Sequence, residues 1–294
     1  MKILITGAAG LLGTDTVKCL HHAGHDLLKV RQHEAPGFLA LDFMNPESFD
    51  IIRNMEWDAM VHTAAWKEPD RCEADPEAAF AMNHIATRRL AECCAARNAQ
   101  MLFISTDYVF NGKNPPYTEN DLPDPLNVYG KSKLAGEKAV LEILPESGIV
   151  LRVPFLFGSS AGMERCPLLK TTWNALHADS PWRMDDLAIR YPTDTRQVAK
   201  AILFLLERHA GGIYHYSGQD AMTRYTICRM MAKMIHRDMT WIRRSVERIP
   251  TEAVRPEKSH LSCSRIFDEG FELPPSFEQS LREMLEDLKL LPEN

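Results

Sequence analysis

Lys2-Ile3-Leu4-Ile5-Thr6-Gly7-Ala8-Ala9-Gly10-Leu11-Leu12-Gly13 opens the chain with a short apolar run that breaks into three evenly spaced glycines. The run reads as a buried strand, and residues 11–22 carry helical spacing that stops near Gly24. Glycine at a strand-to-helix turn lets the backbone fold back tightly and come close to a bound group. The helix start beyond it presents free N–H groups and a partial positive charge, a setting suited to a pyrophosphate. Gly7, Gly10, Leu11, Leu12 and Gly13 are therefore candidate cofactor-binding residues. Their spacing is Gly-x-x-Gly-x-x-Gly, not Gly-x-Gly-x-x-Gly, so the loop alone does not decide the ligand.

Outward from this turn, strand patterns at 26–31, 38–41, 58–62, 101–105 and 149–153 alternate with helical patterns at 76–97 and 129–144. Such alternation favours a parallel sheet covered on both faces. Beyond Pro154 the rhythm loosens, with helices expected at 164–177, 194–208, 224–236 and 277–288 and strands at 212–216 and 240–243. The expected fold is α/β, a Rossmann-type doubly wound parallel sheet with a smaller, discontinuous C-terminal substrate lobe. Residues 1–158 would form the dinucleotide-binding part, with segments at about 188–215 returning to it and 159–294 mainly the substrate lobe. The loop 111–128 holds Pro115, Pro116, Pro123 and Pro125. It is expected to border the substrate site as a semi-rigid lid.

Composition narrows the function classes. The 294 residues are 45% hydrophobic and 25% charged, which excludes a disordered tail, a collagen-like fibre and a disulfide-stapled miniprotein. With 34 basic against 40 acidic residues the net charge is −6, which argues against general binding to nucleic acid or anionic membranes. No apolar run approaches the roughly 18 residues of a spanning helix. The seven cysteines are scattered without a Cys-x-x-Cys pair and read as reduced thiols of a cytoplasmic protein. His21, His22 and His25 suit the carboxyl end of a helix, so no metal is expected. Arg243, Arg244 and Arg248 read as a solvated face, and Trp173, Trp182 and Trp241 as packing residues, one of which could stack on a base.

A second constellation carries chemistry. Ser105-Thr106-Asp107-Tyr108-Val109-Phe110 ends a predicted strand, and Tyr129-Gly130-Lys131-Ser132-Lys133 opens a predicted helix. Tyr129 and Lys133 are four apart and share a helix face. A tyrosine with its ordinary pKa near 10 is a poor acid or base at neutral pH, and a neighbouring ammonium and a cationic nicotinamide would both lower that pKa. Thr106 would add a hydroxyl that orients a substrate carbonyl.

These motifs, in this order, resemble the extended short-chain dehydrogenase/reductase family. The stretches STDYVFNG and PLNVYGKSKLAGEKAV look like the branch that contains dTDP-4-dehydrorhamnose reductase and the regulatory beta subunit of methionine adenosyltransferase. The resemblance implies hydride transfer between NAD(P)H and a carbonyl/alcohol pair. Tyr129 would be the acid, Lys133 would hold the nicotinamide ribose and tune Tyr129, and Thr106 would bond the carbonyl. It also implies that Asp42 and Phe43 meet the adenine. Ala64, Ala65 and Trp66 would lie along the cofactor, and Pro154 beside the nicotinamide carboxamide. Thr106, Asp107, Val109, Phe110, Asn127 and Phe155 would surround the substrate. Asn83 falls where the family often has a structural helix asparagine.

Cofactor choice rests on the end of the second strand, Val30-Arg31-Gln32-His33-Glu34. An arginine there accepts the 2′-phosphate of NADP(H), whereas an acid bonds the free ribose of NAD(H). Arg31 comes first and favours NADP(H), and Glu34 keeps NAD(H) open. Two functions follow from the resemblance. One is an NADPH-dependent reductase of a nucleotide-linked 4-keto-sugar, which could be a homodimer. The other is an NADP-binding regulatory subunit that assembles with an adenosyltransferase catalytic subunit. Phe155 stands where the reductases usually have tryptophan, and Arg190-Tyr191-Pro192-Thr193 where they have Gly-Ala-Pro-Thr.

Overall fold

In the first strand, β1 (Lys2–Thr6), Ile3 and Ile5 face one hydrophobic cluster and Leu4 faces another. This period-two split is what a strand covered on both sides requires. The computed structural model describes residues 1–248 and 250–292. After β1 come α1 (Leu11–His22), β2 (Asp26–Arg31), β3 (Leu39–Ala40), α2 (Glu47–Arg53) and β4 (Ala59–His62). There follow α3 (Pro69–Ala74), α4 (Pro76–Phe80), a π-helical segment (Ala81–Ala86) and α5 (Thr87–Ala96). Next are β5 (Gln100–Thr106), α6 (Val128–Ile143) and β6 (Gly148–Val153). The single helix expected over 76–97 thus contains a wider turn that the residue pattern did not announce.

The central sheet is wholly parallel, with seven strands in the order Gly212–His215, β6, β5, β4, β1, β2, β3. Its outermost strand on the β6 side comes from the second half of the chain, as does the Thr195–Glu207 helix, which packs on α1. Leu102 and Ile104 of β5 join the cluster beneath α1 and that helix, and Met101 and Phe103 the one beneath α5 and α6. A third cluster gathers other C-terminal segments around Phe157, Leu169, Met231 and Leu281. Leu11 and Phe155 pack against it, so this lobe sits beside the glycine loop. Among the described residues, no helix is long and apolar enough to cross a membrane.

Candidate active site

The carboxyl ends of β1, β2, β4, β5 and β6 open into one cavity of about 1260 Å³. It lies where the strand order switches between β1 and β4, the position at which open α/β sheets hold ligands. Gly7 leaves β1 with φ +66°, and a Cβ on Gly13 would fall 2.1 Å from the Gly7 carbonyl oxygen. No side chain caps the first turn of α1, which leaves its N–H groups free to meet an anion. Gly7, Gly10, Leu11, Leu12 and Gly13 all line the cavity. A close-packed glycine turn and an uncapped helix start fit the pyrophosphate of a dinucleotide. From the other lobe, the Arg165 guanidinium donates to the Ala9 carbonyl across this turn.

Arg31 lines the cavity and stands 5.7 Å from the Phe38 ring centroid, and Glu34 is not part of the lining. Asp42 accepts the Met44 N–H at 3.0 Å, and Phe43 packs edge-on to His62. Ala64, Ala65 and Trp66 form a further part of the wall. Their position is set from the π-helical segment, where Asn83 accepts the Trp66 N–H at 2.8 Å and donates to the Trp66 carbonyl at 2.9 Å. Asn83 also donates to Ser132 Oγ on α6 at 3.0 Å, joining this wall to the Tyr129–Lys133 helix. Such wide turns often mark functional segments, because they re-aim one side chain.

Thr106, Asp107, Tyr129, Lys133, Pro154 and Phe155 line the same cavity. Asn127 caps α6 by accepting the Gly130 N–H at 2.8 Å, and Glu73 accepts the Val128 N–H at 2.9 Å. The Tyr129 ring stands edge-on to Tyr108 at 5.9 Å. Lys133 is buried, donates to the Ile104 carbonyl at 2.7 Å and has its ammonium 3.9 Å from the Phe103 ring centroid. Burial pushes its pKa down to about 7, against the pull of Glu137. The Tyr129 phenol departs from expectation. Burial, with Asp107 adding to it, pushes it above the ordinary tyrosine range, and the Thr106 side chain opposes. Asp107, buried and bonded to Ser259, is raised to about 6, mainly by desolvation.

Three proposed substrate residues lie elsewhere. Val109 and Phe110 are fully buried in a small cluster with Tyr117 and Leu261, where Phe110 stacks on Tyr117 at 4.2 Å. Asn127 spends its oxygen on the helix cap and its amide nitrogen on the Val254 carbonyl at 2.8 Å. None of the three lines the cavity, and neither does the loop 111–128. That loop is pinned instead, with Tyr117 paired to the segment around Leu261 and Glu119 accepting the His215 N–H at 3.0 Å. The lid expectation is corrected accordingly. Backbone pairing, the Glu119 hydrogen bond and the Phe110–Tyr117 stack anchor this loop, and none of its residues lines the cavity.

The sequence profile of the RmlD substrate binding domain matches residues 1–290. The chain belongs to this family. Methionine adenosyltransferase 2 subunit beta of Mus musculus is 33% identical over 291 residues, spanning 97% of this chain and 87% of that protein. A dTDP-4-keto-6-deoxy-D-glucose reductase of Streptomyces niveus is 31% identical over 242 residues, 80% of this chain and 79% of that one. The structure superposes on dTDP-4-dehydrorhamnose reductase of Bacillus anthracis in complex with NADP with a TM-score of 0.87. Identity there is 25%, covering 97% of this chain and 99% of that one.

On this RmlD-family frame several arginines meet in the cavity. Arg190 and Arg224 line it beside Arg255, and the first two form no ion pair among the described residues. Arg255 gives one nitrogen to Asp70 at 2.7 Å, while its Nη1 is buried without a partner. Burial, and then the neighbouring Arg190, hold Arg224 below the ordinary arginine range. Arg248 also lines the cavity at its mouth, exposed as its reading in a solvated face expects and paired to Glu257. Trp182 stands at the rim, 37% exposed. These arginines come from distant parts of the sequence with no shared spacing, so no motif announces them.

Proposed function

We propose that the protein is an NADP(H)-dependent oxidoreductase that reduces a nucleotide-linked 4-keto-sugar, as the dTDP-4-dehydrorhamnose reductases do. The observation that carries this reading is that Thr106, Tyr129 and Lys133 line one cavity with the glycine turn. When bound, the reduced nicotinamide supplies hydride to the carbonyl carbon. Tyr129 gives its phenolic proton to the carbonyl oxygen as charge develops there, and because burial raises its pKa the transfer depends on a neighbouring positive charge that favours the phenolate. Thr106 donates a hydrogen bond to the same oxygen and orients it. Lys133, as an ammonium, bonds the ribose and stabilises the phenolate left on Tyr129. Arg190, Arg224 and Arg255 supply incompletely paired positive charge for a diphosphate, and Trp182 offers an aromatic face to a base.

The assay is NADPH oxidation with a panel of nucleotide-linked 4-keto-sugars. Arg224→Ala should raise KM for the nucleotide-linked substrate about 10- to 100-fold, as the loss of a charged hydrogen bond predicts, with a smaller change in kcat. An unchanged KM would remove Arg224 from the substrate site. For the cofactor, NADPH should raise the melting temperature more than NADH does, since a ligand of the native state stabilises by mass action. Arg31→Ala should shrink the NADPH preference about tenfold or more. Equal stabilisation of the parent by both cofactors would defeat the Arg31 argument.

A second reading is a regulatory subunit that binds NADP. It is supported by the Mus musculus relative, which spans 97% of this chain against 80% for the Streptomyces reductase. The reductase-branch departures at Phe155 and 190–193 point the same way. A folded, NADPH-binding parent that reduces no member of the panel but alters the kinetics of an adenosyltransferase catalytic subunit would establish it.

A further inference from the structure

One helical turn beyond Lys133, the side chain of Glu137 is buried on α6. Its Oε1 accepts hydrogen bonds from Ser105 Oγ at 2.5 Å and from Arg152 Nε at 3.0 Å, and its Oε2 accepts from Arg152 Nη2 at 2.7 Å. Arg152 is buried too, with Nη1 3.3 Å from His215 Nε2 and its guanidinium 5.1 Å from the Phe110 ring centroid. Both side chains are 2% exposed. A pair taken so far out of water usually contributes no more stability than apolar residues of the same shape, so stability does not account for it. Its attachments are more informative. Ser105 precedes Thr106 on β5, Arg152 stands two residues before Pro154 on β6, and Glu137 shares the Lys133 face of α6.

We infer that Glu137 is a positioning residue for the dinucleotide site: held by Arg152 and Ser105, its carboxylate supplies the counter-charge that keeps Lys133 an ammonium in an apolar pocket. This rests on the reading of Lys133 as the ribose ligand. From β5 the Phe103 ring and the Ile104 carbonyl face Lys133. From β4 comes His62, which burial and Lys133 itself hold neutral, with its pKa near 3. From α6 come Tyr129, whose phenol stays protonated, and Glu137. Among the described residues, Glu137 is the group that raises the Lys133 pKa against burial. Without that carboxylate the lysine loses its proton at lower pH, and the form that bonds the ribose is depleted first at alkaline pH.

The test is calorimetric titration of the full chain with NADP⁺ between about pH 5.5 and pH 8. Glu137→Gln alone strands the Arg152 charge and endangers folding, so the main variant is Glu137→Met with Arg152→Leu, which removes both charges and keeps an apolar filling. A Lys133 pKa about one unit lower predicts affinity close to the parent at about pH 5.5 and about tenfold weaker at about pH 8. Glu137→Asp should return the curve toward the parent. Asp107 also ionises within this range, but it is common to all the proteins and cancels in the comparison. A double variant whose curve superimposes on the parent's would show the pair to be structural only and overturn the inference. If Lys133→Met keeps the parent's pH dependence, or the parent binds no NADP⁺, the reading of the site itself fails and takes the inference with it.

Discussion

Replacing Tyr129 by Phe should lower reductase turnover about 10²- to 10⁴-fold while NADP⁺ affinity stays near the parent value. The substitution removes one hydroxyl and keeps the ring that packs edge-on to Tyr108. The phenol is the proton donor assigned to the carbonyl oxygen, so its loss removes general acid catalysis and little else. Lys133→Met should behave differently, weakening both NADP⁺ binding and turnover, because in the proposed mechanism one ammonium serves the ribose and the phenolate. Single-turnover rates and NADP⁺ titrations on the two variants separate these patterns. Turnover that survives in Tyr129→Phe would point to another acid. Asp107 is then the first candidate, since it lines the cavity and its pKa is raised to about 6.

Gly13→Ala should cost about 10²-fold in dinucleotide affinity, comparable to the cost of a 1 Å misplacement in a preorganised site. The added methyl would sit 2.1 Å from the Gly7 carbonyl oxygen and 2.9 Å from Ala8 Cα, both backbone atoms that cannot rotate aside. Relief requires the turn or the start of α1 to move, and both line the cavity. Gly24→Ala makes an informative partner. Gly24 has φ +82° and open space around it, so that change should cost about 1–2 kcal/mol of stability and leave NADP⁺ affinity alone. Thermal melts and NADP⁺ titrations on both variants check the contrast. Parent-like affinity in Gly13→Ala would mean that this turn does not hold the dinucleotide.

What the residues revealed was governed by range along the chain. The β1 turn and the Tyr129–Lys133 face were legible because each is local: a strand meeting a glycine, or two side chains one helical turn apart. The strand–helix alternation gave the doubly wound fold for the same reason. Long-range contacts were not legible. Prolines mark 111–128 as irregular, but only Tyr117 against Phe110 and the Leu261 segment reveals that the loop is anchored away from the cavity. Val109, Phe110 and Asn127 follow a motif of chemical interest yet point into packing and a helix cap. Arg190, Arg224 and Arg255 meet only through the fold. The direction of the Tyr129 shift depended on burial, which a spacing argument cannot weigh against neighbouring charge.

The late return of the Gly212–His215 strand has a consequence for how the protein is made. While the chain is being synthesised, β6 has an open hydrogen-bonding edge until His215 has emerged, and the outer side of α1 stays uncovered until the Thr195–Glu207 helix arrives. Val198, Ile202 and Leu205 of that helix belong to the same cluster as Leu12 and Leu20. A ribosome that stalls near residue 158 would therefore release a nearly complete sheet with one sticky edge and one bare apolar face, the surface that invites aggregation and chaperone capture. The half of the chain that looks self-sufficient on paper is thus finished, as a folding unit, by residues translated long after it.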